Sequence, residues 1–173
     1  MPTLILGGAR SGKSALAERL AHDSGRAVVY LATAEARDGE MRARIDHHRA
    51  RRPGHWACVE EPLALADALR GHARADRCVL VDCLTLWLSN LLHDADAARF
   101  GCERDALLAA LPTLPGEILL VANEVGLGIV PLGALSRRFV DEAGRLNQSV
   151  AAACERVLFV AAGLPFALKG SPP

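Results

Sequence analysis

The sequence predicts an α/β fold: a mostly parallel sheet flanked by helices, in a single domain over residues 1–169 with a frayed tail at 170–173. Three observations carry this expectation. The apolar runs are short and continuous rather than alternating, as strands covered on both faces should be. Longer stretches of helical periodicity separate them. Strand and helix alternate along the chain, the pattern of parallel strands joined by crossover helices.

The elements follow in order. Strands are expected at TLILG (3–7), AVVYLAT (27–33), CVLVDC (78–83), EILLVAN (117–123) and RVLFVAAG (156–163). Helices are expected at 12–23, 38–52, 62–71, 84–93, 103–111 and 134–153. In the last of these Phe139, Ala143, Leu146 and Val150 form an apolar stripe, while Asp141, Arg145 and Gln148 lie off it. Trp87 is read as core packing. Ligands on sheets of this kind bind beyond the carboxyl ends of the strands, so the loops there are the ones to search.

Composition excludes several classes. The 173 residues suit one domain with one sizeable core. Formal net charge is zero, so bulk charge gives no support for nucleic-acid binding. Basic character is local, crowded between Arg37 and Arg52. Five cysteines without a C-x-x-C pair argue against a structural zinc site or a disulfide framework and fit small buried residues in a reducing compartment. No apolar stretch reaches membrane-span length and the first residues lack a signal-peptide pattern, so a cytoplasmic protein is expected.

The first strand–helix junction carries the firmest chemistry. Gly7, Gly8, Ala9, Arg10, Ser11, Gly12, Lys13 and Ser14 match G-x-x-x-x-G-K-[ST] between an apolar run and an amphipathic helix. The glycines let the backbone curl so that its N–H groups point at phosphate oxygens, and the helix start adds its positive dipole end. Lys13 reaches the β- and γ-phosphates and Ser14 ligates Mg²⁺. This makes the fold P-loop NTPase-like and predicts nucleoside triphosphate binding. Asp82, ending an apolar strand, is read as the Mg²⁺-associated carboxylate, as an N-cap for the helix from Leu84, or as both. Glu124, ending another, either orients a substrate hydroxyl or water or caps neighbouring backbone. No N-K-x-D base-reading motif occurs, which argues against a GTP switch.

The stretch ARIDHHRARRPGHW (43–56) contains His47, His48 and His55 among arginines. At helical spacing Met41, Ile45 and His48 share one face, and Glu40, Arg44, His47 and Arg51 another. His47 therefore projects from a face carrying two arginines, where anionic groups gather. A neutral imidazole there serves as a nucleophile toward phosphorus, as a general base, or only as a phosphate ligand. A metal site is disfavoured, because adjacent histidines diverge on a helix and arginines repel a cation.

Five stretches together are familiar: GGARSGKS (7–14), YLATAEARDGEMRARIDHHRARRPGHW (30–56), VDCLTLWLSNLL (81–92), NEVGLGIVP (123–131) and RRFVDEAGRLNQSVAAACERVLFVAAG (137–163). In these the chain resembles the bifunctional adenosylcobinamide kinase / adenosylcobinamide-phosphate guanylyltransferase family of cobalamin synthesis. The resemblance implies that a nucleoside triphosphate, ATP or GTP, phosphorylates the aminopropanol hydroxyl of adenosylcobinamide. GTP then donates GMP to that phosphate through a guanylylated histidine, which falls on His47. Nucleotide contacts carried over by position fall on Gly7 to Ser14, on Ala32, Thr33 and Ala34, on His48, Arg49, Ala50 and Arg51, and on Glu60 and Asp82. The resemblance further implies Mg²⁺, a corrinoid and nucleotides as small-molecule partners, and a homotrimer. Glu124 and Asp82 are the candidates for the base of the kinase step. The competing reading is a monofunctional small-molecule kinase in which His47 only binds phosphate.

Overall fold

The computed structural model describes residues 2–35 and 53–172. A seven-stranded sheet runs through the molecule. Its strands are β1 (Pro2–Gly7), β2 (Ala27–Ala32), β3 (Ala57–Glu60), β4 (Arg77–Asp82), β5 (Glu117–Asn123), β6 (Arg156–Ala161) and β7 (Leu164–Lys169). The spatial order is β3-β2-β4-β5-β1-β6-β7, with every pairing parallel except β6 with β7. Helices among the described residues are α1 (Lys13–Asp23), α2 (Leu65–His72), α3 (Leu84–Leu92), α4 (Arg99–Ala110) and α5 (Ala134–Ala153). The predicted helix at 38–52 lies outside the described residues.

The continuous apolar runs have their reason in the two cores. Successive strand residues alternate between faces, and both faces are covered. Leu4, Leu6, Val29, Leu31, Val79, Val81, Ile118 and Leu120 pack with α2, α3, α4 and α5 on one side. Ile5, Val28, Tyr30, Cys78, Leu80, Leu119 and Val121 pack with Leu16, Ala17 and Ala21 of α1 on the other. Trp87 of α3 is fully buried, and its indole N–H donates to the Leu63 carbonyl at 2.7 Å. The expected core role of this residue is therefore observed.

Two strands were not foreseen. β3 is four residues long, lies at a sheet edge and is largely exposed, so it carries no apolar run. β7 follows β6 after a two-residue turn and contains Pro165, which an edge strand tolerates because its outer edge has no strand to bond. Helix starts also moved. α2 begins at Leu65 rather than 62, because the Glu61 carboxylate accepts from the N–H groups of Leu63 and Ala64 and holds them in a turn. α4 begins at Arg99, four residues before the expected start.

This order of strands places the site. From β1 the chain crosses over the α1 face to β2, whereas from β5 it crosses the opposite face through α5 to β6. Crossovers thus diverge beside the carboxyl end of β1, which opens a crevice there.

Candidate active site

The strand ends are in step. Gly7 of β1 pairs with Asn123 of β5 and Val160 of β6. On the other side of β5, Asp82 of β4 pairs with Ala32 of β2, which pairs in turn with Glu60 of β3. Of the expected site residues, Gly7 to Ser14, Ala32, Thr33, Ala34, Glu60, Asp82 and Glu124 therefore gather along one edge of the sheet. His47, His48, Arg49, Ala50 and Arg51 lie outside the described residues.

Between β1 and α1 the backbone closes on itself. The Ser11 N–H donates to the Gly8 carbonyl at 3.3 Å, and Leu16 N–H to Gly12 at 3.0 Å opens the helix. Arg10 and Gly12 both take positive φ, 55° and 99°. A Cβ on Gly7 would stand 2.5 Å from both Ser11 Oγ and the Val160 carbonyl, so only glycine fits there. Gly8 differs from the sequence expectation: it needs neither positive φ nor a missing Cβ. Its distinctive feature is its carbonyl, which also accepts from Lys13 Nζ at 2.9 Å. Ser11 Oγ is buried and has no hydrogen-bond partner among the described residues.

Lys13 is buried, and burial holds its ammonium below the ordinary lysine pKa, opposed by negative charge at Cys83 and Asp82. The Cys83 thiol is itself pushed up to about 11 by burial and by Asp82, so it stays neutral near pH 7. The Tyr30 hydroxyl donates to Asp82 Oδ2 at 2.9 Å from the neighbouring strand. Sequence reasoning missed Tyr30, which looked like one more apolar strand residue; only the pairing of β2 with β4 puts it against the carboxylate.

Thr33 is fully buried, and its hydroxyl clamps the strand end, donating to the Cys83 carbonyl at 2.7 Å and accepting from the Cys83 N–H at 2.9 Å. Asn90 of α3 donates to the Thr33 carbonyl at 2.8 Å. This network positions the residues after β2 and β4 and was not legible from the motifs. The Asp82–Cys83 peptide bond within it is cis.

Ser14, half-buried in the first turn of α1, and Asp82 offer one hydroxyl and one carboxylate on the same edge. Such hard oxygen donors fit Mg²⁺, which retains waters and takes its other ligands from phosphate.

Glu124 stands beside the loop, its N–H donating to the Gly7 carbonyl at 3.0 Å. Its Oε1 accepts from Gly126 N–H at 2.7 Å, the backbone-capping geometry considered from the sequence. Beyond it Leu127, Ile129, Val130 and Leu132 are between 72% and 98% exposed, a run of apolar side chains turned outward next to the loop. Asn147 of α5, off the expected apolar stripe, is buried and donates to the Asn123 carbonyl at 3.3 Å.

The fold has distant likenesses. A protein from Pyrococcus horikoshii OT3 superposes with a TM-score of 0.57 at 8% identity, covering 99% of this chain and 87% of that one. A prototypical ATPase from the type III secretion system of pathogenic bacteria does so with a TM-score of 0.50 at 11% identity, covering 96% and 57%. What is shared with both is the fold, a mostly parallel sheet with helices on both faces. Sequence likeness is much closer. The bifunctional adenosylcobalamin biosynthesis protein of Pseudomonas aeruginosa is 66% identical over 172 residues, 99% of both chains. Those of Escherichia coli K12 and Salmonella typhimurium LT2 are 41% and 39% identical, each over 98% of this chain and 100% of theirs. The cobinamide kinase / cobinamide phosphate guanyltransferase family matches residues 3–168. With its phosphate loop, strand-end carboxylate and near full-length likeness, this chain belongs to that family.

Proposed function

We propose that this chain catalyses both reactions of its family, phosphorylating adenosylcobinamide and then joining GMP to the phosphate. The observation that carries the reading is the cradle of Gly7 to Ser14, with the buried Lys13 ammonium held over it and Asp82 close by. In the first reaction the substrate hydroxyl oxygen attacks the γ-phosphorus of ATP or GTP. The bond to the β-phosphate oxygen breaks and the nucleoside diphosphate leaves. Lys13 and the backbone N–H groups stabilise charge on the transferring phosphoryl group. Glu124 or Asp82 receives the hydroxyl proton. Ser14 and Asp82 hold Mg²⁺, which neutralises phosphate charge when bound. Ala32, Thr33, Ala34, Glu60 and the stretch His48 to Arg51 complete the nucleotide contacts.

In the second reaction a ring nitrogen of His47 attacks the α-phosphorus of GTP and pyrophosphate leaves. A phosphate oxygen of adenosylcobinamide phosphate then attacks the same phosphorus and frees the imidazole. The nucleophile must be neutral, so adduct formation falls in acid as the imidazole takes up a proton, and the flanking arginines oppose that uptake. The support for His47 is its place in the HH pair and the arginines around it. The exposed apolar run at 127–132 supports self-association, since a neighbouring copy would cover it; the homotrimer is what the family resemblance implies. No described helix is long and apolar enough to cross a membrane.

The test uses GTP labelled at the α- or the γ-phosphate, followed by denaturation. Acid-labile, alkali-stable label from the α position alone is expected, lost in His47→Ala while cobinamide phosphorylation persists. Persistence of the adduct in His47→Ala would remove His47 from the role. Absence of adduct in the wild type, with phosphorylation intact, would leave the monofunctional kinase.

A further inference from the structure

The antiparallel strand β7 poses a question. Its outward-turned Leu164, Phe166 and Leu168 are exposed, and none of its residues enters either core. It adds little to hydrophobic stability, yet it is anchored at both ends. At its far end Lys169 Nζ donates to the carbonyls of Ala151 and Ala152 at the end of α5, at 3.0 and 3.1 Å. At its near end the two-residue turn Ala162–Gly163, flanked by the Ala161–Leu164 pair, takes positive φ at both positions, 52° and 79°. That is the turn geometry that matches strand twist and holds a hairpin tightly.

This turn lies against the phosphate loop. The Gly163 N–H donates to the Ser11 carbonyl at 2.8 Å. A Cβ on Gly12 would sit 3.1 Å from Gly163 Cα. The Ser11–Gly12 peptide is trans, the one cis bond among the described residues being Asp82–Cys83. In a trans peptide C=O and N–H point to opposite sides. Fixing the Ser11 carbonyl outward on Gly163 therefore aims the Gly12 N–H the other way, into the concavity of the loop. Gly12 is where the loop becomes helix, so its amide is among those that meet a phosphate oxygen.

We infer that the β6–β7 hairpin is a brace for the phosphate loop, and that Gly163 is a positioning residue that orients the Gly12 amide toward bound triphosphate. The inference rests on the reading of residues 7–14 as the triphosphate cradle. It gives β7 a role that core packing does not.

The experiment measures binding of a non-hydrolysable GTP analogue, together with KM for nucleotide, KM for cobinamide and melting temperature, on full-length variants. Gly163→Val introduces a β-branched residue that does not adopt this φ, whereas Gly163→Asn keeps the N–H and tolerates it. Gly25→Val serves as the comparison: Gly25 also has positive φ, with nothing within 4 Å of its Cβ position, and lies at the opposite end of α1. Gly163→Val is expected to weaken the analogue about tenfold, the value of one hydrogen bond to a charged group, and to raise nucleotide KM with cobinamide KM unchanged. Gly163→Asn should bind as wild type, and Gly25→Val should lose melting temperature without losing affinity. Wild-type affinity in Gly163→Val, or Gly163→Asn binding no better than Gly163→Val, overturns the inference. Should Gly163→Val fail to fold, Gly163→Ala takes its place, and equal affinity of Gly163→Ala and Gly163→Asn overturns it equally. Lys13→Ala separates the two levels. If it binds the analogue like wild type, the cradle reading itself fails; if it loses binding while the Gly163 variants do not, only the brace fails.

Discussion

Two loops leave neighbouring strands at the same edge of the sheet, and they are built in opposite ways. The loop after β1 ties its backbone down: Gly8 accepts from Ser11 and Lys13, and the Ser11 carbonyl, turned out of the loop, accepts from Gly163. The loop after β5 turns apolar side chains outward, from Leu127 to Leu132. The first is a loop whose shape is fixed by hydrogen bonds within it and to the β6–β7 turn. The second presents a surface that water covers poorly and another body would cover better. The lesson is that hydrogen-bonded rigidity and exposed apolar surface fall on separate segments, although the Glu124 N–H to Gly7 bond joins them at the base.

Changes to the cradle should have the largest effects. Lys13→Ala is expected to lower kcat/KM for the kinase step about a hundredfold or more, as loss of a charge-stabilising donor does, with the fold retained by circular dichroism. Gly7→Ala should follow, since its methyl would collide with the Val160 carbonyl and Ser11 Oγ. A loss of about 1–3 kcal/mol in chemical denaturation is expected, with weaker nucleotide binding. Its counterpart in the other loop, Gly128→Ala, has nothing within 4 Å of the added carbon and should leave both quantities within error. A similar cost at Gly128 would erase the contrast between the loops.

The pH dependence sharpens the comparison from another side. Burial lowers the Lys13 pKa below 10.5. Between its lowered value and 10.5 the unfolded chain holds a proton that the folded chain has lost. Stability of the nucleotide-free protein should therefore gain a rising contribution from Lys13 across that alkaline window, while triphosphate affinity falls as the ammonium discharges. Lys13→Met should flatten both trends; a wild-type affinity profile in that variant would show that another group controls it. The smallest effect is expected from Ile129→Ser with Leu132→Ser. Unfolding free energy of the dissociated chain should change by no more than about 0.5 kcal/mol, as for exposed sites generally. Sedimentation should nevertheless shift toward the monomer. An unchanged assembly would remove this loop from the subunit contact.

Much of the fold was legible because fully covered strands and amphipathic helices leave strong local periodicity. β1, β4 and β5 fell within a residue or so of their runs, and the helix at 134–153 matches α5 at both ends. The tight turn between β1 and α1 was legible because it needs glycine at two fixed positions, Gly7 with no room for a Cβ and Gly12 at positive φ. β3 and β7 were not, because an edge strand buries too little to require an apolar pattern. Tyr30 and Thr33 illustrate the other blind spot. In the sequence Tyr30 reads as one more apolar strand residue, and nothing local marks Thr33 as a clamp. Their hydrogen bonds to Asp82 and Cys83 span about fifty positions of sequence and exist only once β2 lies beside β4.

The sequence alone determined the fully covered strands, most of the described helices, the glycine-and-lysine motif at residues 7–14 and the family to which the chain belongs. These follow from local spacing, which the chain carries whatever its surroundings. Tertiary structure alone decided that Tyr30 would face Asp82, that Thr33 would lock the ends of β2 and β4, and that the hairpin turn at Gly163 would meet the Ser11 carbonyl. Such contacts depend on strand order, and strand order is set by how crossovers and two separate cores pack together rather than by any short run of residues.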